Sequence, residues 1–212
     1  MQQPSVYLGG FLIHEPVTVL TNLMLCAVCF SLAVQLYKSH AKYWVMFFGL
    51  LSFAAFFGSL GHGLYLDKNN VLQMISRIAI SIAVFAGCIA SIDHLKNINL
   101  KKFLTVFSFF QISAVIVLIM VFNDFLIVKW NGILGIGVIM GSIHTYLLMN
   151  GNRGSRFVII GIVLNSMAGL IHRFHVSPNK WFNHNDLGHM VVMAGFYLMA
   201  IGAMRLENYA TK

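Results

Sequence analysis

Residues 184–204 read HNDLGHMVVMAGFYLMAIGAM. From position 190 to 204 the run carries no charge, and over roughly 186–205 it reaches the ~20 residues a helix needs to cross a hydrocarbon core. Six similar stretches precede it, at roughly 17–37, 43–64, 71–92, 103–122, 125–148 and 157–175. The chain is 58% hydrophobic and 9% charged, with a mean hydropathy of +0.79. A soluble domain of 212 residues needs a charged surface that this composition cannot supply. The connections are too short for a separate soluble unit. The expected fold is therefore all-α, a polytopic membrane bundle of seven transmembrane helices forming one domain over residues 1–212.

The net charge of +8 is a matter of topology. Seven crossings divide the loops between two sides. Lys38, Lys42, Lys96, Lys101, Lys102, Arg153, Arg156, Arg205 and Lys212 fall on one side. Lys68, Lys129, Arg173 and Lys180 fall on the other, and Arg77 lies within a helix. By the positive-inside rule the richer side is cytoplasmic, which puts the N-terminus outside and the C-terminus inside. No nucleic-acid partner is implied. The start, MQQPSVYLGG, lacks the positive region of a cleavable signal peptide. Cys26 and Cys29 fall inside the first helix, where packing is the expected role.

That topology gathers the polar residues. His14, Glu15, His62, Asp67, Asp124, His172, His175, His184, Asp186 and His189 fall on the outward side. Only His40, His94, His144, Asp93 and Glu207 fall on the other. In the first helix Glu15, Thr18 and Asn22 share a face, and Pro16 at the first helical position makes Glu15 the expected cap. In the second, Ser52, Ala55, Ser59 and His62 form a small-residue seam that ends in histidine. The third carries Gln73, Ser76 and Arg77; a charge that deep is expected to face the bundle, with Glu15 or Asp186 as its partner. In the last, Asn185 and Asp186 lie on the side of His189, and capping by Asn or Asp is compatible with a role in orienting that histidine. The fourth helix, with only Gln111 in it, is expected to face lipid. Gly137 and Gly141 in the fifth are expected to make a close-contact face or a dimer seam.

Three short patches resemble the alkaline ceramidase and progestin/adiponectin receptor superfamily of seven-helix proteins. EPVTVLTN (15–22) is similar to the ceramidase first-helix pattern, with Glu15 and Asn22 matching and Thr21 in place of serine. GSLGH (58–62) resembles the Ser-x-x-x-His at the end of helix two, with Ser59 three residues before His62 instead of four. NDLGH (185–189) resembles the His-x-x-x-His that opens helix seven, with Asn185 in place of the first histidine. The family's third-helix aspartate has no counterpart; Gln73 lies near its place. The resemblance implies a zinc-dependent hydrolase of a lipid amide or ester.

On that reading His62 and His189 are zinc ligands, and His172, Asp186 or His184 supplies the third. Zinc would lower the pKa of its bound water and polarise the carbonyl. Glu15 or Asp186 would act as general base, with Ser59 in the catalytic set and Asn22, Arg77 and Asn185 lining the site. The substrate would come from the membrane lipid, and a bacterial inner membrane with the site facing the periplasm is the expected setting. The alternative is a non-enzymatic, receptor-like or ligand-binding bundle, in which the same groups form a polar network around Arg77. Two-histidine haem binding finds no compelling pair, and a transport path lacks charged residues in the cytoplasmic half.

Overall fold

The computed structural model describes residues 4–64 and 71–210, with side chains to residue 206. Asp67, Lys68, Lys212 and the Glu207 side chain lie outside the described residues. Seven helices are long and apolar enough to cross a membrane. They are α1 (Pro16–Tyr37), α2 (Lys42–Gly63), α3 (Val71–Asp93), α4 (Ile98–Phe122), α5 (Phe125–Met149), α6 (Ser155–Arg173) and α7 (His184–Ala210). The starts follow local chemistry. Pro16 opens α1. Asn97 Oδ1 caps α4 by accepting from Asn99 N and Leu100 N, both at 3.0 Å, and Asp124 Oδ1 caps α5 through Leu126 N at 2.9 Å.

The helices close into a ring. α1 packs between α2 and α7, α2 against α3, α3 against α5, α5 against α6, and α6 against α7. α4 lies outside this ring on α3 and α5, and it exposes Phe103, Phe107, Phe109 and Phe110. That is the surface expected to face lipid. Ser108, Ile112, Val115 and Ile119 turn inward, and beside them Gln111 Nε2 donates to Asn131 Oδ1 of α5 at 2.8 Å.

Large apolar side chains fill the core towards the end opposite His62. Phe47 and Phe48 of α2 lie edge to face at 4.9 Å, each about 6 Å from Phe196 of α7, and Trp44 packs on both. Beside them His144 is fully buried, with Ser91 Oγ 3.1 Å from Nε2 and Ser155 Oγ 3.2 Å from Nδ1. Both ring nitrogens have partners, so this histidine ties α3, α5 and α6 together, away from the histidines on the His62 side.

Two features go beyond the expected architecture. Val6–Leu8 and Phe11–Ile13 pair as an antiparallel hairpin, β1 and β2, before α1. Gly9 (φ 57°) and Gly10 (φ 85°) make its two-residue turn, a conformation that suits glycine at both positions. In the middle of α5, Ile133–Met140 widens into π-helical turns. There Gly135 lies so close to α3 that a Cβ would fall 2.2 Å from Val84 Cγ1.

Glycine also sets the closest helix pair. Gly154, the N-cap of α6, and Gly161 within it face Gly202 and Gly195 of α7, backbone against backbone, with the members of each pair spaced seven positions apart. The expected small-residue contact at Gly137 and Gly141 is not made within the chain. A Cβ at Gly137 would meet nothing within 4 Å, and the two glycines line an open groove with Thr145 of α5 and Ile159 and Val163 of α6. Neighbouring α6 and α7 instead approach through the heptad-spaced glycines, because these remove side-chain bulk from both facing ridges at the same levels.

Candidate functional site

Glu15 sits at the N-cap of α1, as the Pro16 rule places it, but its side chain caps nothing. Its backbone is left-handed, φ 45° and ψ 54°. For a non-glycine residue that costs about 1–2 kcal/mol, and a following proline disfavours helical conformations further. The contacts around it hold the turn in place. His14 N donates to Gly63 O at 3.1 Å, and His62 Nδ1–H donates to Glu15 Oε2 at 2.6 Å. That hydrogen bond, joined by the charge of His62, holds the Glu15 carboxyl below its usual 4.5, against the upward push of burial.

A second imidazole is held in a similar way. α7 begins with a capping box. Asn183 Oδ1 accepts from Asn185 N at 2.7 Å and Asp186 N at 3.4 Å, while Asp186 Oδ2 accepts from Asn183 N at 2.8 Å. The cap is thus Asn183, one residue before the stretch HND. Asp186 is fully buried, and its other oxygen, Oδ1, accepts from Thr21 Oγ1 of α1 at 3.1 Å. Thr21 Oγ1 also lies 3.0 Å from His189 Nδ1. A hydroxyl has one proton, for which Asp186 Oδ1 and, at 3.2 Å, Thr18 O compete. With it on either acceptor the Thr21 oxygen accepts from His189 Nδ1–H, and with it on Asp186 the histidine is linked to the carboxylate.

His62 and His189 therefore share a pattern. Each carries its ring proton on Nδ1, turned to a carboxylate, directly for His62 and through Thr21 for His189. Each keeps its Nε2 lone pair for other chemistry. The two rings lie within electrostatic reach of one another, and His172 is within reach of His189. The imidazoles of α2 and α7 thus stand at the same end of the bundle, each beside its own carboxylate partner.

The other expected members divide. Ser59 is buried one turn before His62. Asn22 is buried a level deeper, where its Nδ2 donates to Thr18 O at 3.0 Å; Gly58 leaves room for it beside Ser76. Asn185 contributes its backbone N–H to the cap. Arg77 is a correction. Its guanidinium donates to the backbone carbonyl of Asn123, to Asn123 Oδ1 at 2.5 Å and to Gln73 Oε1 at 3.2 Å, and has neither Glu15 nor Asp186 as its partner. Asn123 ends α4 in a left-handed conformation (φ 44°), so the arginine pins the α4–α5 corner. The polar network around Arg77 is local to that corner.

His172 is turned elsewhere as well. Lys129 Nζ of α5 lies 3.2 Å from its Nδ1. An ammonium can only donate, so Nδ1 accepts and Nε2 carries the proton, the reverse of a histidine poised to bind zinc through Nε2 beside His62 and His189. Among the described residues, no three His, Cys, Asp or Glu side chains meet in metal-ligand geometry. The residues present thus supply two well-oriented nitrogens for zinc and no assembled third ligand.

Residues 17–208 match the profile of a family described as a family of unknown function, DUF6962. The chain belongs to DUF6962. The matched DUF6962 span takes in Thr21, His62, Asp186 and His189 and leaves Glu15 just outside. No curated protein and no solved structure matches the chain. In this DUF6962 site Thr21 stands in the 15–22 patch in place of a serine, without a role marked for it, and two further residues were not singled out. Asn183 is legible as the first residue of Asn-x-x-Asp, a capping-box spacing. Lys129 carries no signal, because its contact with His172 spans 43 residues of sequence.

Proposed function

We propose that the chain is a multi-pass membrane protein whose histidine-rich end faces outward and carries an acid–base site for an ester or amide of a lipid-like molecule. The nine-to-four division of Lys and Arg supports the orientation, and a bacterial inner membrane with the site on the periplasmic side is the setting of this reading. One observation carries the chemistry: two imidazoles from different helices, each with Nδ1 tied to a carboxylate and Nε2 left to act.

Glu15 fixes the tautomer of His62 and stabilises the imidazolium formed when Nε2 takes a proton from water. The hydroxide so produced adds to the substrate carbonyl carbon. The carbon–oxygen or carbon–nitrogen bond then breaks as the leaving group takes the proton that His62 Nε2 accepted, which returns His62 to its resting form, while His189 Nε2, oriented through Thr21, accepts a hydrogen bond from the attacking water. Zinc carries no step in this account, because its third ligand is not assembled.

A second reading is a ligand-binding bundle without catalysis. Its support is Asp186, fully buried, with both oxygens already spent on the α7 cap and on Thr21. One experiment separates the two. Purified protein is incubated with a panel of fluorogenic lipid esters and amides, ceramides included, alongside His62→Ala, His189→Ala and Glu15→Gln. The catalytic reading expects product from wild type and its loss in both histidine variants. Substrate-induced thermal stabilisation without product favours the binder. Product that persists in His62→Ala and His189→Ala removes the acid–base site.

A further inference from the structure

An open groove of about 520 Å³ runs between α5 and α6, in the half of the bundle remote from His62. Gly137, Gly141, Thr145 and Tyr146 of α5 form one wall, and Ile159 and Val163 of α6 form the other. A Cβ at Gly137 would meet nothing within 4 Å and one at Gly141 only Ile136 O at 3.8 Å, so the space lies over bare backbone. Thr145 spends its hydroxyl on Gly141 O at 2.8 Å, which leaves the walls largely apolar. From Gly137 to Met149 the groove follows α5 for about 18 Å at 1.5 Å per residue. Half of a ~30 Å hydrocarbon core is about 15 Å. The groove therefore has the depth of one leaflet.

The mouth of the groove is positively charged. Arg156 is exposed, one turn before Ile159 and two before Val163, on the side of α6 that carries the groove wall. Its guanidinium carbon lies 4.7 Å from the centre of the Phe157 ring, and that of Arg205 of α7 lies 4.2 Å from the same ring. Two like charges are thus held within about 9 Å of each other. Among the described residues neither guanidinium is within ion-pair distance of a carboxylate, and Asp93, the described acid at this end, is paired with Lys101 Nζ at 2.5 Å. Two gathered guanidiniums without an acid call for an anion, and arginine matches phosphate through paired N–H donors.

We propose that this groove binds one anionic phospholipid, with an acyl chain along the glycine wall and the phosphate on Arg156 and Arg205. The groove asks for an apolar chain one leaflet long. The arginine pair asks for a phosphate at the membrane surface, and a phospholipid joins the two. Basic sites between membrane helices take anionic headgroups in the same way. A second copy of the chain suits the groove less well. A two-fold contact sets the same patch against itself, which would bring four guanidiniums together with no described acid between them. In the orientation proposed above, the lipid belongs to the cytoplasmic leaflet. This site shares no residue with the Glu15–His62 and His189–Thr21–Asp186 units and stands whether or not they are catalytic.

The test uses the full chain in detergent, stripped of lipid and titrated with phosphatidylglycerol or with phosphatidylcholine of the same acyl chains. Binding is read by native mass spectrometry and by the rise in melting temperature. Wild type is expected to bind one phosphatidylglycerol at least about tenfold more tightly than phosphatidylcholine, the worth of one hydrogen bond to a charged group. Arg156→Gln combined with Arg205→Gln should abolish that preference. Gly141→Leu, which grows into open space, should melt as wild type does without lipid and bind phosphatidylglycerol at least about tenfold more weakly. The proposal is overturned if wild type shows no preference, if the arginine double variant keeps it, or if Gly141→Leu binds as wild type does. Displacement of the lipid by inorganic phosphate overturns it as well, since that marks a free-anion site. So does disulfide cross-linking of Gly137→Cys between two chains, which would give the groove to a second copy.

Discussion

The approach of α6 to α7 makes a quantitative prediction for Gly161→Ala. A Cβ at position 161 would fall 2.5 Å from Gly195 O, 2.5 Å from Met199 Cγ and 3.2 Å from Met199 N. Ordinary contact begins near 3.4 Å. Met199 is fully buried and Gly195 O is backbone, so neither has open space to move into. The helices must separate at that level by just under about 1 Å. Forcing extra volume into a packed interface costs about 1–3 kcal/mol. Alanine also favours a helix over glycine by up to about 1 kcal/mol, which offsets part of the loss. Gly137→Ala measures that offset alone, because its Cβ would meet nothing within 4 Å. For a chain of this size 1 kcal/mol moves the melting temperature by about 2–4 °C. Followed by tryptophan fluorescence in detergent, Gly161→Ala is expected to melt about 2–12 °C below Gly137→Ala. If it melts at the same temperature or higher, the two helices are not in backbone contact at this level.

Glu15 predicts a pH dependence. Its carboxyl pKa is lowered in the fold, so its contribution to stability is fully present above the ordinary value of 4.5 and is lost as pH falls through the folded value. Melting curves of wild type and Glu15→Gln should therefore differ at pH 6–7 and converge in acid; a gap that widens in acid contradicts the His62 pairing. His144→Leu leaves buried serine hydroxyls without their ring partner, at a cost of about 1–3 kcal/mol, and adding Ser91→Ala and Ser155→Ala should recover most of the lost melting temperature. Arg77→Met should lower stability through the α4–α5 corner and leave the acid-pH behaviour of Glu15 intact. A double variant with Glu15→Gln is expected to be additive within about 0.5 kcal/mol, and a larger coupling would reinstate Glu15 as a partner of the arginine.

The seven helices were legible because apolar run length is a local property. Residues 71–92 were expected and Val71–Asp93 is found, and the other spans agree within two residues at each end except at the end of α7, which runs on to Ala210, and at the start of α4. There Ile98 to Lys102 extend the helix under the Asn97 cap, a polar turn that a hydrophobicity reading cuts off. The hairpin was missed although Gly9–Gly10 between apolar runs is a turn signal, since the search was for long runs. The π-helical turns of α5 leave no trace in composition. For the site, helical periodicity placed Glu15, His62, Asp186 and His189 at one end, and the fold brings them together there. Which atom meets which was not legible. The hydrogen bonds of Thr21 to Asp186 and His189 join positions 165 and 168 apart, and the partner of Arg77 was hidden in a helix C-cap rather than among the acids.

The pairing of the first helix with the last has a consequence for biosynthesis. A chain inserted into a membrane from its N-terminus would bring Thr18, Thr21 and Asn22 into the bilayer long before Asp186 and His189 leave the ribosome. Until α7 docks, that polar stripe has to be sheltered by the translocon, by α2 or by an insertion chaperone. A product stalled before residue 183 would never close the ring, and its Thr21 hydroxyl would have only Thr18 O, within its own helix, as an acceptor. The Glu15–His62 pair can form once α2 is in place, whereas the His189–Thr21–Asp186 unit waits for the last helix to be made.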